Sequence, residues 1–172
     1  MMTDIMIAKK IWGCAVRTGR PDAVYFDMDG TIADLYGVAD WLPHLLQGDT
    51  KPYEVASPLV DMKHLQSIIT ALNGLGIAVG VISWGAKGGT TEYTRRVKKA
   101  KVSWLKKHGL NIQEIHVVKY GTPKHKVAKH KNAVLVDDEE QNLNKWRGAT
   151  INASNAVAMM TQLTNMIEQL QS

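Results

Sequence analysis

The sequence predicts an α/β fold, with a doubly wound parallel sheet of about five strands and helices on both faces. Short apolar segments of strand length alternate with amphipathic helical segments along most of the chain, the order typical of such sheets. Two of the strand segments, 23–28 and 133–136, run directly into carboxylates. Because parallel strands end at one edge of a sheet, where open α/β folds bind ligands, we expect these acids to meet.

Capping residues and apolar spacing predict the bounds of the elements. A weak helical pattern covers 3–16, and Ser57 followed by Pro58 favours a helix start that ends near Gly74 and Gly76. The predicted strands are 23–28, 77–82, 115–118, 133–136 and 149–152. The other predicted helices are 92–108, 124–130, 139–147 and a C-terminal helix over 154–171, capped by Ser154. This C-terminal helix is expected to bury Val157, Met160, Leu163, Ile167 and Leu170.

The composition favours one globular domain over residues 1–172, with a Rossmann-like sheet. The chain has 172 residues, of which 45% are hydrophobic, and its apolar runs are strand-length, so we expect no transmembrane helix. A single cysteine, Cys14, excludes an intramolecular disulfide framework and favours a cytoplasmic location. We expect a monomer or a small homo-oligomer. Segment 32–57 is irregular and is predicted to form a flap.

Net charge is the second compositional signal. The chain carries +5 at pH 7 despite its acidic clusters, and a basic surface attracts phosphate-rich partners. Much of this charge lies on the predicted helix 92–108, in Arg95, Arg96, Lys98, Lys99, Lys101, Lys106 and Lys107. This helix is either a nucleic-acid contact or an ordinary solvated face.

The acids suggest a metal site. Asp27 and Asp29 are two residues apart, so in extended backbone they face the same side, and Gly30 permits a sharp turn after them. Asp137 and Asp138 end the other acidic strand. Crowded carboxylates need a cation or a shared proton, and oxygen ligands suit a hard divalent ion. Glu139 and Glu140 are interpreted as acids in the first turn of a helix.

Four motifs in order make the chain resemble the haloacid dehalogenase (HAD) superfamily, most of whose members are Mg²⁺-dependent phosphohydrolases. They span residues 23–142: the segment Asp27-Met28-Asp29-Gly30-Thr31, the strand ending in Ser83, Lys124 before the last acidic strand, and the pair Asp137-Asp138. The gaps between the motifs leave no room for a large cap domain. Capless members of the superfamily often act on macromolecules or borrow a cover from a partner subunit.

The resemblance implies a role for each motif residue. Asp27 would be the nucleophile that forms an aspartyl-phosphate, and Asp29 the general acid and base. Ser83 would bind the phosphate and Lys124 would neutralise it, with Lys119 and Lys126 as nearby alternatives. The implied Mg²⁺ ligands are Asp27, Asp29 through its backbone carbonyl, Asp137 and Asp138. Which acid of the last pair binds the metal directly stays open, and Asn142 is expected to order the metal shell or to be exposed.

Substrate contacts are expected from Thr31, Trp84, Gly85 and Lys87. Trp84 either stacks on a base or packs at the rim of the site. The layout from Ser83 through the basic helix is similar to that of phage polynucleotide kinase-phosphatases, which commonly have arginine where this chain has Trp84. The Leu-Val-Asp-Asp strand is similar to that of deoxyribonucleotidases.

The sequence therefore predicts a phosphatase of a nucleotide or of a nucleic-acid terminal phosphate. One alternative is a phosphatase of sugar phosphates or other small metabolites. Another is a nucleic-acid-binding or scaffold protein that keeps the hydrolase fold.

Overall fold

The central element is a five-stranded parallel sheet, as predicted. The computed structural model describes residues 19–172, so the helical pattern at 3–16 lies outside the described residues. The sheet strands are β1 (Ala23–Phe26), β4 (Ala78–Trp84), β5 (Glu114–Val118), β6 (Ala133–Asp137) and β7 (Thr150–Asn152). Two short strands, β2 (Ala33–Asp34) and β3 (Ser57–Pro58), form a separate antiparallel ribbon.

Seven helices occur among the described residues. They are α1 (Trp41–Leu46), α2 (Lys51–Val55), α3 (Met62–Gly74), α4 (Thr91–Lys107), α5 (Lys124–Val127), α6 (Glu140–Lys145) and α7 (Ala156–Gln171). Most predicted bounds lie within a residue or two of these. The short helix predicted over 124–130 ends earlier, at Val127. Within residues 19–172, no helix combines the length and apolar composition needed to cross a membrane.

Strand β1 is buried on both faces. Its side chains alternate between the two faces of the sheet. Val24 and Phe26 join a core with residues of α3 and α7, whereas Ala23 and Tyr25 join a second core with residues of α5 and α6. All four side chains are fully buried. Helices therefore cover both faces, as the doubly wound prediction requires.

The topology sets the position of the site. The strand order is β5-β4-β1-β6-β7, so the chain passes from β1 outward to β4 and β5, and then returns to β6 and β7 on the other side. The crevice at such a reversal, at the carboxyl ends of the strands, is where ligands bind. The backbone N–H of Asp27 donates to the carbonyl of Val136 at 2.8 Å. This bond extends the β1–β6 ladder and brings Asp27 beside Asp137.

The segment predicted as a flap contains regular helices and strands. The predicted helix start at Ser57-Pro58 is wrong. Ser57 and Pro58 form β3 and pair with Asp34 and Ala33 of β2. Helix α3 instead begins at Met62, and its cap is Asp61, whose carboxylate accepts the backbone N–H groups of Lys63 and His64. The local Ser-Pro signal is overridden here by a pairing with a strand more than twenty residues away in sequence.

The flap, which comprises β2, α1, α2 and β3 with their connections, is attached to α4. Three hydrogen bonds join them: Tyr93 Oη to the carbonyl of Asp49 at 2.6 Å, Arg96 Nη2 to the carbonyl of Gly48 at 3.0 Å, and Trp104 Nε1 to the carbonyl of Ala56 at 2.8 Å. These bonds hold the flap in a fixed position beside the strand ends.

The C-terminal helix starts one residue later than predicted. Asn155, rather than Ser154, is the cap, and its side chain accepts the backbone N–H of Ala158 at 2.9 Å. The buried face differs from the prediction at its start. Val157, expected in the core, is 78% exposed. Met160, Leu163 and Ile167 are buried as expected, Leu170 packs against the core in part, and Met159 and Met166 are buried as well.

This cap can be tested with a matched pair of substitutions. Asn155→Ala should lower the free energy of unfolding by about 1 kcal/mol, because it removes the acceptor for an N-terminal amide of α7. Ser154→Ala should change it by less than about 0.5 kcal/mol. Urea denaturation of both variants checks this. Equal losses, or a larger loss for Ser154→Ala, would contradict the assignment.

Candidate active site

Three neighbouring strands deliver the polar side chains of the site. Asp27 directly follows β1, Ser83 lies near the end of β4, and Asp137 ends β6. One carboxylate oxygen each from Asp27, Asp137 and Asp138 lies within 4.8 Å of the other two. The carboxylate of Asp29 does not belong to this group and contacts another cation instead.

Lys124 lies between the two central carboxylates. Its buried Nζ is 2.7 Å from Asp137 Oδ2 and 2.8 Å from Asp27 Oδ1. Burial lowers the pKa of Lys124, but the charges of Asp27 and Asp137 outweigh this effect and hold the pKa above its usual value. Lys119 and Lys126, the two alternatives, are exposed. Of the three lysines, the structure brings Lys124 to the carboxylates.

Asp137 is fully buried and extensively bonded. Its carboxylate accepts the backbone N–H of Glu139 at 2.9 Å, and Asn142 Nδ2 lies 3.1 and 3.2 Å from its two oxygens. Burial and the charge of Asp27 raise the pKa of Asp137, against the opposing effect of Lys124. Asn142 is buried and holds this carboxylate in place, as the first of its two expected roles implies.

The carboxylate of Asp138 accepts fewer hydrogen bonds than that of Asp137. Its Oδ1 accepts the hydroxyl of Thr31 at 3.0 Å, and burial, followed by the charge of Asp27, raises its pKa to about 6. Thr31 is 1% exposed, and Asp138 accepts its hydroxyl hydrogen bond. The structure therefore places Thr31 behind a carboxylate rather than on the substrate side. Gly30 has φ 81°, and a Cβ there would clash with Asp138.

Asp29 contacts a lysine that sequence reasoning did not assign to the site. Lys101 of α4 is 0% exposed, and its Nζ donates to Asp29 Oδ2 at 2.6 Å, to Ser83 Oγ at 2.8 Å and to the carbonyl of Trp84 at 2.8 Å. These three bonds use all three ammonium protons. Burial raises the pKa of Asp29, although the charge of Lys101 opposes the shift. The ring of Tyr53, from the flap, lies 4.8 Å from Nζ.

A signal for Lys101 was present in the sequence. Val97, Ala100 and Trp104 form the buried stripe of α4, and Lys101 lies four residues after the first and three before the last, which is the spacing of one helix face. A lysine in an apolar stripe needs a buried partner. The predicted exposed face of seven cations is accordingly wrong at Lys101.

The carboxylate cluster fits a hard divalent cation. Asp27 Oδ1 is buried, and its one charged partner among the described residues is Lys124 Nζ at 2.8 Å. Lys124 supplies a single charge to the three grouped carboxylates. Their oxygen donors and the remaining negative charge are those that Mg²⁺ prefers. Asp27, Asp137 and Asp138 would hold the ion, together with the backbone carbonyl expected from Asp29.

A cleft of about 480 Å³ adjoins these groups. Its lining includes Asp27, Asp29 and Ser83, together with Trp84, Gly85 and Lys87, which were predicted to contact substrate. Trp84 is fixed by a 2.8 Å hydrogen bond from its Nε1 to the carbonyl of Thr122. Most of the remaining lining is apolar and comes from Tyr120 and from the flap: Leu35, Tyr36, Trp41, Leu42, Leu45, Leu46 and Tyr53. Ala86, Gly88, Glu139 and Asn142 complete it.

Fewer cations of α4 are exposed and unpaired than the sequence predicted. The basic face of this helix is also separate from the cleft. Arg95 pairs with Glu92 at 2.6 Å, Arg96 binds the flap, and Lys101 is buried. Arg96, Lys99 and Lys107 line a separate depression between α4 and the flap. The exposed cations of α4 thus do not line the cleft.

Comparison with known proteins supports the fold. A crystal structure from Mesorhizobium loti, of a protein assigned provisionally as a HAD-like phosphatase, superimposes with a TM-score of 0.58. The two chains share 16% sequence identity, and the match covers 92% of this chain and 91% of the other. No protein-family model and no curated protein sequence matches this chain. The α/β architecture of this chain is therefore similar to that of the Mesorhizobium loti protein.

The pKa of Asp138, raised to about 6, predicts that Mg²⁺ binding weakens in acid. Below that pH the carboxyl keeps a proton that the metal must displace, so the affinity falls as pH falls. In the metal-free protein, the raised pKa of Asp138 also means that the free energy of unfolding decreases as pH rises from 3.8 towards about 6. Mg²⁺ should therefore raise Tm at about pH 7.5 and much less at about pH 5.

Thermal unfolding with and without Mg²⁺ at the two pH values measures this effect. Asp138→Asn should remove most of the Mg²⁺-dependent rise in Tm, whereas Glu140→Gln, on the exposed start of α6, should retain it. An equal Mg²⁺ effect at both pH values would contradict the prediction.

Proposed function

We propose that this protein is a Mg²⁺-dependent phosphomonoesterase that forms an aspartyl-phosphate on Asp27 and acts on a nucleotide or a nucleic-acid terminal phosphate. The observation that carries the proposal is the meeting of Asp27, Asp137, Asp138 and Lys124 at the strand ends. Next to them, Asp29 and Ser83 share one buried lysine. This is a nucleophile, an acid–base group and a phosphate-binding hydroxyl in one place.

The first step transfers the phosphoryl group to Asp27. A carboxylate oxygen of Asp27 attacks phosphorus, the bond to the leaving oxygen breaks, and Asp29 donates a proton to that oxygen. The buried environment that raises the pKa of Asp29 favours the protonated form that this step requires. Ser83 Oγ, which accepts a hydrogen bond from Lys101, keeps its own proton to donate to a phosphoryl oxygen.

The second step regenerates the enzyme. Asp29, now ionised, accepts a proton from water, and the water oxygen attacks phosphorus to release phosphate and free Asp27. The positive charge of Lys101 stabilises the ionised form of Asp29 between the two steps. Asp29 is within reach of the cleft and of Lys101 together, as a group that changes protonation state must be.

Charge neutralisation is the main electrostatic requirement. The phosphate and the carboxylates repel each other, and a bound Mg²⁺ would offset this repulsion and hold the phosphate in line with Asp27. Lys124 Nζ stands beside Asp27 and adds a fixed positive charge. Asp138 is the better direct ligand of the acidic pair, because Lys124 and Asn142 already occupy the oxygens of Asp137.

A binding or scaffold role without catalysis has less support. A retained fold without activity would tolerate the loss of a site residue, whereas each motif residue is present and two buried lysines pair with Asp29, Asp27 and Asp137. The predicted nucleic-acid surface on α4 is also reduced, since Arg95, Arg96 and Lys101 are engaged within the protein.

Replacing the nucleophile tests the reaction. Asp27→Asn should lower phosphate release by about 10³-fold or more, because an amide oxygen does not attack phosphorus as a carboxylate does. Asp22→Asn makes the same change just before β1, at its other end, where the side chain is exposed, and should leave the rate unchanged. Phosphate release with Mg²⁺ and after chelation is measured on both. Normal turnover by Asp27→Asn would rule out this mechanism.

Lys101→Met tests the positioning of Asp29 and Ser83. Loss of the ammonium group leaves both without their shared donor, so kcat should fall by about 10²-fold or more. Lys98→Met changes an exposed lysine of the same helix and should have little effect. The loss should be greater for an alkyl phosphate than for p-nitrophenyl phosphate, whose leaving group needs no proton. An equal loss on both substrates, together with a lowered Tm, would indicate a purely structural role.

A further inference from the structure

The cleft beside the carboxylates exposes apolar side chains. Large hydrophobic residues that are exposed among residues 19–172 include Tyr36 at 48%, Leu42 at 47%, Leu46 at 76% and Tyr120 at 43%, and all four line this cleft. Exposed hydrophobic groups that gather in one concavity usually mark a binding surface. Because Asp27, Asp29 and Ser83 line the same cleft, a phosphate held by them would place its leaving group against these side chains.

Two aromatic pairs dominate this lining. Tyr36 and Trp41 of the flap meet edge to face, with ring centroids 5.1 Å apart. Trp84, at the end of β4, and Tyr120, just after β5, have ring centroids 4.9 Å apart. Aromatic side chains bind flat rings by stacking, and a base offers such a ring whatever its sequence identity.

These aromatic side chains are held before any ligand binds. Trp84 is fixed by its bond to the carbonyl of Thr122, and the flap that carries Tyr36 and Trp41 is bonded to α4 through Tyr93, Arg96 and Trp104. A surface that is already ordered loses little conformational entropy on binding. The cleft is therefore suited to a rigid, flat group.

The charges of the cleft suit a single phosphate. Among the described residues that line it, Lys87 is the one cation, whereas Asp27, Asp29 and Glu139 are acids. Further phosphates of a bound strand would meet carboxylates and apolar side chains here. Three exposed cations of α4 that could attract a strand, Arg96, Lys99 and Lys107, line the separate depression against the flap. Charge thus disfavours a polyanion in the cleft.

An apolar lining also disfavours a bare sugar phosphate. Sugar hydroxyls placed against Leu42, Leu45 and Leu46 would lose their hydrogen bonds to water without replacement, which costs free energy. A nucleoside differs because its base covers apolar surface while only its sugar remains polar. A volume of about 480 Å³ is within the range of small-ligand sites.

We infer that the cleft binds the base of a free nucleoside monophosphate through Tyr36, Trp41, Trp84 and Tyr120. This inference rests on the proposed phosphomonoesterase function and narrows its substrate. A free nucleotide is preferred over the same sugar phosphate without a base, and over the phosphorylated end of an oligonucleotide.

The decisive comparison uses substrates that differ only in the base or in the attached strand. They are thymidine 5′-monophosphate, thymidine 3′-monophosphate, 2-deoxyribose 5-phosphate, phenyl phosphate, and short oligothymidylates phosphorylated at the 5′ or the 3′ end. With Mg²⁺ present, kcat/KM for one of the two mononucleotides should exceed the values for the sugar phosphate and the oligonucleotides by about tenfold or more, the scale of one stacking interaction.

Two exposed aromatic residues make suitable variants, since their replacement leaves the core intact. Tyr36→Ala and Tyr120→Ala should each lower kcat/KM for the preferred mononucleotide by about tenfold and lower that for 2-deoxyribose 5-phosphate much less, because the sugar phosphate has no base to stack. Val157→Ala removes an exposed hydrophobic side chain of α7 that does not line the cleft and should change neither value. The Asp27→Asn protein with Mg²⁺ should show quenching of tryptophan fluorescence by the mononucleotide and not by the sugar phosphate.

The outcomes separate this inference from the function on which it rests. Equal hydrolysis of mononucleotide and sugar phosphate, or a preference for an oligonucleotide end, would overturn the inference and leave the phosphatase intact. Phenyl phosphate as good as the mononucleotide would overturn the assignment to nucleotides. No phosphate release from any substrate, with quenching by the mononucleotide still present, would overturn the proposed reaction and support the base-binding cleft.

Discussion

The structure depends on the neutralisation of buried carboxylates at one edge of the sheet. Asp27, Asp29 and Asp137 are largely removed from water, and their mutual repulsion would oppose folding if nothing offset it. Two buried lysines divide this task. Lys124 lies between Asp27 and Asp137, and Lys101 pairs with Asp29. The arrangement leaves net negative charge near Asp27 and Asp138, where a divalent cation would be stabilised.

The two lysines connect the site to different parts of the fold. Lys124 starts α5, and α5 packs on the sheet face that contains Tyr25. Lys101 comes from α4, which also carries the hydrogen bonds to the flap. Tyr53 of the flap covers the Lys101 ammonium group. A change in the packing of the flap on α4 would therefore alter the positions of Asp29 and Ser83 as well as the shape of the cleft.

Most of the sheet and the acidic site could be predicted because they depend on local signals. Apolar runs bounded by glycine and acids mark buried strands, and their alternation with helices is sufficient to predict a parallel sheet. The mistaken elements share a different cause. Ser57-Pro58 pairs with β2, which is distant in sequence, and the register of α7 follows from which side chains the core accepts. Neither fact is encoded in the local pattern.

The sequence by itself determined the order of the main strands and helices and the acids at the strand ends. Each of these depends on neighbouring residues, whose periodicity and capping act within a few positions. Only the tertiary structure decided that Lys101 is buried against Asp29, that Thr31 lies behind Asp138, and that the flap makes an aromatic-lined cleft. These are contacts between residues far apart in the chain, and they form only when packing brings α4 and the flap to the strand ends.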